Sequence, residues 1–222
     1  MQYRLGRLVI RLLIRLVARV EVVGADYIPP SGGFVAVTNH VGRLDAGLPY
    51  VLLDRDDIIM LVAEKYREVF VTRWLAGAMN GIWVDRFGAD MTAVRAALRR
   101  LKAGGVMVVA PEGTRSVTGS LIEARSGAGF LAAKSGAPIL PTALTGCEDF
   151  AMKASLRRFR RAPVLVVFGP TFHLAPRPDL AGEARLHAYD EEIMCRIAAL
   201  LPPDRRGFYA GHPRVAELLA TA

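Results

Sequence analysis

A histidine and an aspartate lie five positions apart in the polar segment 39–45, which directly follows the apolar run 34–38. On one continuous helix that offset would point His40 and Asp45 about 140° apart, so a contact between them requires a turn, which Gly42 permits. A carboxylate that accepts a hydrogen bond from one imidazole nitrogen fixes the tautomer and leaves the other nitrogen as a base. This pair is part of a serine-protease triad without its nucleophile, whose place a substrate hydroxyl can take.

A second polar segment, 111–116, reads Pro-Glu-Gly-Thr-Arg-Ser and follows the strand-like run 106–110. It combines a permissive glycine, a hydroxyl and a guanidinium, the groups with which a loop binds a phosphate. Because open α/β sheets bind ligands at the carboxyl ends of their strands, the two segments are predicted to share one crevice. His40 alone also fits an ordinary hydrogen-bonded loop histidine, and the second segment favours the catalytic interpretation.

A third segment, 81–86, ends a short strand-like run with Asp85 and Arg86, which taken alone would be a surface ion pair. In order along the chain, these segments resemble the glycerophospholipid acyltransferase family, whose best-known members are the 1-acylglycerol-3-phosphate acyltransferases. The family pattern is Asn-His-x4-Asp, a Gly-x-x-x-Asp-Arg block, Pro-Glu-Gly-Thr-Arg-Ser and an apolar stretch ending in proline, here 137–141. The resemblance extends from residue 34 to residue 146.

The resemblance implies that His40 is the general base and that Asp45 orients it. It also implies a phosphate-binding site whose ligands are Arg86 and Arg115 and whose other members are Glu112, Gly113, Thr114 and Arg125. Two positions depart from the family: Gly42 stands where serine is usual, and Ala110 stands where an aromatic residue is common. Neither departure removes a group that the chemistry needs, but both leave the choice of acceptor open.

The implied reaction is the transfer of a fatty acyl group from a thioester to a glycerol hydroxyl. His40 would take the hydroxyl proton as the oxygen attacks the thioester carbonyl, with a backbone N–H or a water near the histidine loop stabilising the oxyanion. The resemblance implies 1-acylglycerol-3-phosphate (lysophosphatidic acid) as acceptor and acyl-coenzyme A or acyl carrier protein as donor, and the alternative acceptor is another lysophospholipid or a lipid-linked hydroxyl.

No cofactor or metal is expected, because thioesters are reactive donors and the potential metal ligands are scattered. The four histidines are isolated from one another, and those outside the first segment, His173, His187 and His212, fit surface or capping positions. Two isolated cysteines, Cys147 and Cys195, make neither a zinc site nor a disulfide framework.

Length and patterning predict one α/β domain with a mixed, mainly parallel sheet wrapped by helices. The chain has 222 residues, of which 52% are hydrophobic, enough for a sizeable core. Strands are predicted at 34–38, 58–63, 82–84, 106–110, 139–144 and 164–168. Helices are predicted at 91–103, with Asp90 as N-cap, and at 183–201, and Asp45 is expected to open another helix at Ala46.

The net charge of +8 indicates an anionic partner, and the N-terminal sequence indicates which one. Arginines recur every three or four residues among leucines and valines, at positions 4, 7, 11, 15 and 19. The sequence therefore predicts an amphipathic basic helix over 1–23 that lies on an anionic membrane surface, ahead of an acyltransferase domain over 24–222. The expected location is the cytoplasmic face of a membrane, with peripheral or monotopic attachment and no spanning segment.

Two alternatives stay open for the charge. The N-terminal helix could pack on its own domain with its arginines in water, and a second basic run within 153–161 could be simply solvated or add to the same face. A non-catalytic basic protein that binds membranes or nucleic acid would also explain the arginines. It would leave His40, Asp45 and the segment 111–116 without a role, so no nucleic-acid partner is expected.

Overall fold

The computed structural model describes residues 2–85, 90–125 and 127–221. Within these ranges the strands are β1 (Ala18–Val23), β2 (Phe34–Thr38), β3 (Ile58–Ala63), β4 (Ile82–Val84), β5 (Val106–Val109), β6 (Ile139–Thr145) and β7 (Ala162–Phe168). The helices are α1 (Gln2–Val17), α2 (Leu48–Leu52), α3 (Phe70–Ala78), α4 (Met91–Lys102), α5 (Ala128–Ser135), α6 (Asp149–Arg157), α7 (Gly182–Leu200) and α8 (Pro213–Ala220).

These strands form one sheet in the order β1-β7-β6-β2-β5-β3-β4. Neighbouring strands are parallel except for the antiparallel pair β6 and β7. Helices cover both faces, so the central strands are continuous apolar runs, and every residue of β2 is buried. The core on one face includes residues of α4, α5 and α7, and the core on the other includes residues of α1 and α2. The predicted mixed, mainly parallel sheet is confirmed.

The bounds of β2, β3 and β4 agree with the prediction, and those of β5, β6 and β7 differ by one or two residues. Asp90 caps α4 as expected, because its side chain accepts a hydrogen bond from the backbone N–H of Ala93 at 3.0 Å. His212 is a capping residue at the start of α8, where its ring accepts the N–H of Arg214.

The predicted helix over 1–23 is wrong over its last six residues. Helix α1 ends at Val17, and the next six residues are β1, which pairs with β7 at the edge of the sheet. Arg19 continues the helical spacing of the arginines, which favoured a helix. The alternation of polar and β-branched residues that is typical of a strand is nevertheless present in Ala-Arg-Val-Glu-Val-Val. Residues 18–23 are thus part of the sheet, together with strands of the domain predicted over 24–222.

Helix α1 is attached to its own domain by one face. Ile10 and Ile14 are buried, and the guanidinium of Arg7 donates to the carbonyl oxygens of Tyr50 and Leu53 at 3.0 and 2.6 Å. The opposite face leaves five leucines exposed, Leu5, Leu8, Leu12, Leu13 and Leu16. Packing on the domain and an exposed apolar stripe thus coexist in one helix. In the described part of the chain, no helix combines the length and apolar character that a bilayer crossing requires.

A buried amide fixes the carboxyl edge of the sheet, where β2 ends. The side chain of Asn39 donates to the carbonyl oxygen of Leu144 at 2.9 Å and accepts from its N–H at 2.7 Å. Asn39 is 1% exposed, so no water can replace either bond. This residue therefore holds the loop after β2 against the end of β6.

We expect Asn39→Ala to lower the free energy of unfolding by about 2–4 kcal/mol, because two buried backbone groups of Leu144 lose their partner. Urea unfolding followed by circular dichroism measures the change. Thr92→Ala, at an exposed position in the first turn of α4, is the control and should stay within about 0.5 kcal/mol of wild type. A loss below about 1 kcal/mol for Asn39→Ala would contradict the assigned role.

Candidate active site

Three N–H groups converge on one oxygen of Asp45. Its Oδ2 atom accepts hydrogen bonds from Nδ1 of His40 at 2.9 Å and from the backbone N–H groups of Val41 and Gly42 at 2.7 and 2.9 Å. The Asp45 side chain is 4% exposed, whereas that of His40 is 23% exposed. Because an ionised carboxylate only accepts, Nδ1 carries the proton, and Nε2 of the neutral ring is left as the basic nitrogen.

The turn between the two residues depends on Gly42. A Cβ atom at this position would lie 1.9 Å from the carbonyl oxygen of Cys147, so no larger residue fits this backbone. Asp45 then lies in a 3₁₀ turn, Leu44–Ala46, and α2 begins only at Leu48. The expected helix start at Ala46 is thus wrong, because the chain must first turn the Asp45 carboxylate back toward the histidine loop.

Glu112 links the two polar segments through buried hydrogen bonds. Its carboxylate accepts the backbone N–H of His40 at 2.8 Å and that of Ile122 at 3.0 Å, and the residue is fully buried. The N–H of Ser116 completes the connection by donating to the carbonyl oxygen of His40 at 2.7 Å. Burial raises the pKa of Glu112, although the two N–H donors partly oppose that shift. Glu112 therefore supports the loops, and its burial keeps it from direct contact with a phosphate.

Gly113, Thr114 and Arg115 form the partly exposed tip of the second segment. Gly113 has a φ of 64°, a left-handed conformation that glycine adopts without strain, and its N–H donates to the carbonyl oxygen of Ala110 at 3.0 Å. The exposed Arg125 lies beside this tip, since a Cβ at Gly113 would be 3.2 Å from its Cδ. Its backbone N–H donates to the carbonyl oxygen of Pro111 at 2.8 Å. The structure thus brings Arg115 and Arg125 to the same loop.

Asp149, the first residue of α6, is a member of the site that sequence reasoning missed. Its Oδ2 accepts from Nη1 of Arg115 at 2.6 Å, and its Oδ1 accepts the backbone N–H of Arg43 at 2.9 Å. A guanidinium and a neighbouring N–H are donors that also suit a phosphate oxygen. The only signal in the sequence was an acidic residue in a first helical turn, which is ordinary for helix capping. The predicted ligand Arg86 lies outside the described residues.

The backbone N–H groups of the histidine loop, residues 40–43, all donate to carboxylates. The consecutive N–H groups of residues 40–43 donate to Glu112, Asp45 and Asp149. A free N–H in this stretch was one expected donor to the oxyanion, and in this conformation none of the four is free. The N–H of Arg43 has the most exposed partner, because the Asp149 side chain is 45% exposed.

A narrow apolar cleft lies beside Asp45, between α2 and the strands of the sheet. Its walls include Thr38 and Asp45 and, beyond them, the apolar side chains of Leu48, Leu52, Leu53, Val108, Leu144, Val166 and Phe168. Cys147 lies close to Asp45, and burial together with this carboxylate raises the pKa of its thiol, which stays protonated at neutral pH. Among the described residues, no cluster of His, Cys, Asp and Glu side chains is arranged to hold a metal ion.

A family model described as Acyltransferase matches residues 19–145. The chain belongs to the acyltransferase family. The 1-acyl-sn-glycerol-3-phosphate acyltransferase alpha of Mus musculus is 36% identical to it over 151 residues, which are 64% of this chain and 50% of that protein. The 1-acyl-sn-glycerol-3-phosphate acyltransferase of Bacillus subtilis is 26% identical over 200 residues, 86% of this chain and 92% of that protein.

The solved structures contain the same fold. The 1-acyl-sn-glycerophosphate (LPA) acyltransferase PlsC from Thermotoga maritima superposes with a TM-score of 0.63 at 25% sequence identity, covering 86% of this chain and 76% of that chain. The resemblance drawn from the sequence segments and the predicted fold class are thus confirmed. The chain spans about half the length of the mammalian relatives that it matches.

Replacing Glu112 by glutamine tests its supporting role through pH. A raised pKa means that the folded state binds the proton more tightly than the unfolded state, so this group's contribution to stability is lost as pH rises from 4.5 through the raised pKa. We expect Glu112→Gln to lack this slope and to be destabilised by about 1–3 kcal/mol at acidic pH, because an amide N–H₂ then faces one backbone N–H.

Urea unfolding of wild type and Glu112→Gln at several pH values between 4.5 and 7.5 measures both effects. The stability difference between the two proteins should narrow as pH rises. A difference that stays constant with pH would show that the carboxyl titrates alike in the folded and unfolded states.

Proposed function

We propose that this chain transfers a fatty acyl group from a thioester to the free hydroxyl of 1-acylglycerol-3-phosphate, giving phosphatidic acid. The observation that carries the proposal is the His40 ring, whose Nδ1 is held by Asp45, beside a loop that presents Arg115 at the same sheet edge. The names of the mouse and Bacillus relatives support the same reaction.

His40 acts as general base and then as general acid. Nε2 removes the proton of the acceptor hydroxyl while its oxygen attacks the thioester carbonyl, and Asp45 stabilises the imidazolium that forms. Collapse of the tetrahedral intermediate breaks the carbon–sulfur bond, and the imidazolium gives its proton to the departing thiolate. No acyl-enzyme forms, because the acceptor oxygen is itself the nucleophile. Coenzyme A and acyl carrier protein both supply a suitable thioester.

The acceptor's phosphate is bound by Arg115 and Arg125, with Thr114 as a neutral donor and Arg86 as a further ligand. A phosphomonoester carries close to two negative charges, so several guanidinium groups match it better than they match a singly charged phosphodiester. The Asp149 carboxylate, which pairs with Arg115 in this structure, competes for the same donors. A phosphate with the larger charge displaces this carboxylate, and another lysophospholipid or a lipid-linked hydroxyl is the alternative acceptor.

The donor's acyl chain occupies the apolar cleft beside Asp45. Its walls are apolar apart from Thr38, Thr142 and the catalytic carboxylate, so it suits a hydrocarbon chain whose carbonyl lies near His40. Val166 and Phe168 belong to the wall contributed by β7, and we expect them to limit the length of chain that fits.

An anionic membrane surface is the partner through which the lipid acceptor arrives, and the chain binds its cytoplasmic face peripherally or monotopically. The exposed leucines of α1 lie next to exposed arginines such as Arg15 and Arg19, a pattern that suits the boundary between headgroups and acyl chains. A role in nucleic-acid binding would use the charge but leave the site at His40 without a purpose.

The decisive experiment is acylation of lysophosphatidic acid in anionic vesicles, with acyl-coenzyme A and acyl carrier protein as separate donors. We expect His40→Ala to lower kcat on the order of a thousandfold because the general base is lost. Arg115→Ala should raise the KM for the acceptor about tenfold or more by removing a charge-assisted hydrogen bond to the phosphate.

Arg99→Gln, in α4 on the opposite face of the sheet from α1, is the matched control and should leave kcat and both KM values within about twofold of wild type. If the wild type is inactive toward lysophosphatidic acid with both donors but acylates another lysophospholipid, that lipid is the acceptor instead. Full activity of His40→Ala would overturn the mechanism.

Enlarging the side chain at Val166 tests the assignment of the acyl cleft. We expect Val166→Phe to lower kcat/KM for a palmitoyl donor about tenfold more than for an octanoyl donor, because overfilling shortens the space for the chain. Rates with the two donors measure this ratio, and far-ultraviolet circular dichroism checks that the variant is folded. An equal loss for both chain lengths would place the acyl chain elsewhere.

A further inference from the structure

A basic turn joins α6 to β7. We use this name for residues 157–161, which read Arg-Arg-Phe-Arg-Arg and are all exposed. Phe159, at the centre of the turn, is fully exposed, and no other part of the described chain shields its ring. A large aromatic side chain flanked by two arginines on each side gains no burial in the protein itself.

The backbone at Phe159 is unfavourable for its side chain. Its φ is 53°, a left-handed conformation that glycine or asparagine usually supplies at the end of a helix. The N–H of Phe159 donates to Leu156 and that of Arg160 donates to Ser155, both at 3.0 Å, which is the hydrogen-bond pattern of a Schellman motif. The chain thus tolerates a strained backbone and an exposed ring at one residue, a combination that points to a function.

The basic turn lies next to the end of α1. In the parallel pair of β1 and β7, Ala18 is opposite Ala162, so the residues just before each strand are neighbours. The guanidinium of Arg161 donates to the carbonyl oxygen of Arg15 at 3.4 Å, which confirms the proximity. The turn therefore continues the surface that carries the exposed leucines of α1.

The same turn lies at the edge of the sheet that carries the candidate active site. Because β6 and β7 are antiparallel, with Thr145 opposite Leu165, β7 begins where β6 ends. Helix α6 starts with Asp149, which contacts Arg115 in the site, and ends at Arg157, the first residue of the basic turn. One short helix thus connects the site to the turn.

We propose that the basic turn is a second membrane contact, in which the ring of Phe159 inserts at the boundary between headgroups and acyl chains of an anionic bilayer. The four arginines bind lipid phosphates around it, and α1 provides the first contact. This inference rests on the proposed function, because the lipid acceptor is what brings the protein to a bilayer. The two contacts together hold the edge with His40 toward the membrane.

An acidic carrier protein or a nucleic acid would also be attracted by four arginines. An acidic carrier protein has no use for the exposed ring. Nucleic-acid bases could stack on the ring, but a nucleic acid has no use for the leucine stripe beside it. A bilayer uses the ring, the charges and the leucines together, so the observations favour the bilayer.

The test begins with Phe159→Gly and with co-sedimentation on phosphatidylcholine vesicles that contain phosphatidylglycerol. We expect the partition coefficient to fall about tenfold, because a buried aromatic side chain is lost from the bilayer. The same substitution should raise Tm by about 2 °C, because glycine relieves the left-handed strain. An unchanged partition coefficient would overturn the proposal, and a lower Tm would show that the ring stabilises the fold instead.

The arginines are tested with Arg157→Gln/Arg158→Gln against the control Arg99→Gln/Arg185→Gln, which removes equal charge from exposed positions of α4 and α7. We expect the first pair to weaken vesicle binding on the order of fivefold for each arginine, and the control by less than about twofold. An equal loss of vesicle binding in the two double variants would mean that only the net charge of the protein determines binding. Unchanged vesicle binding with lost binding to acyl carrier protein or RNA would assign the turn to that partner.

Vesicle partition does not require turnover, so this proposal and the proposed reaction fail separately. His40→Ala should partition as wild type does, and Phe159→Gly in this background should show the same tenfold loss. If no acceptor is acylated but Phe159→Gly still weakens partition, the reaction fails and the membrane contact stands. If lysophosphatidic acid is acylated while Phe159→Gly partitions normally, the reverse holds.

Discussion

A single carboxylate oxygen, Oδ2 of Asp45, determines the geometry of the site. Three donors share it, and two of them are backbone N–H groups of the loop that carries His40. The carboxylate therefore fixes both the tautomer of the ring and the path of the chain that holds the ring. Because it is almost fully buried, its negative charge has no solvent to compensate it and must keep these donors. The tight turn at Gly42 follows from this requirement.

A second buried carboxylate, Glu112, extends the arrangement to the neighbouring strand. It couples the histidine loop after β2 to the segment after β5, while Asn39 couples the same loop to β6. Three adjacent parallel strands thus end in loops that are hydrogen-bonded to one another through buried side chains. The base and the arginine loop hold their separation because the supporting groups have no alternative partners in water. The rigidity of the site comes from the interior of the sheet edge, beneath the groups proposed to touch substrate.

Much of this could be predicted from local sequence. The central strands are continuous apolar runs, and the groups proposed for chemistry follow them directly. Strands β2 to β5 and the pair of His40 and Asp45 could therefore be predicted from the sequence. Strand β1 could not be, because the arginine period of α1 continues into it and an edge strand has a weak apolar signal. Asp149 could not be either, since its contacts with Arg43 and Arg115 join positions far apart in the chain. Contacts of that kind depend on topology, which spacing does not report.

The antiparallel pairing of β6 with β7 has a topological consequence. A crossover between parallel strands carries its helix from one edge of the sheet to the other, whereas α6 makes a hairpin connection whose two ends stay at the same edge. An added turn of α6, matched by a longer return segment before β7, would therefore leave the register of the described strands unchanged. Each added turn would move the tip about 5.4 Å away from Asp149. Helix α6 and the turn that follows it can thus vary in length, whereas the crossover connections between parallel strands are constrained at both edges of the sheet.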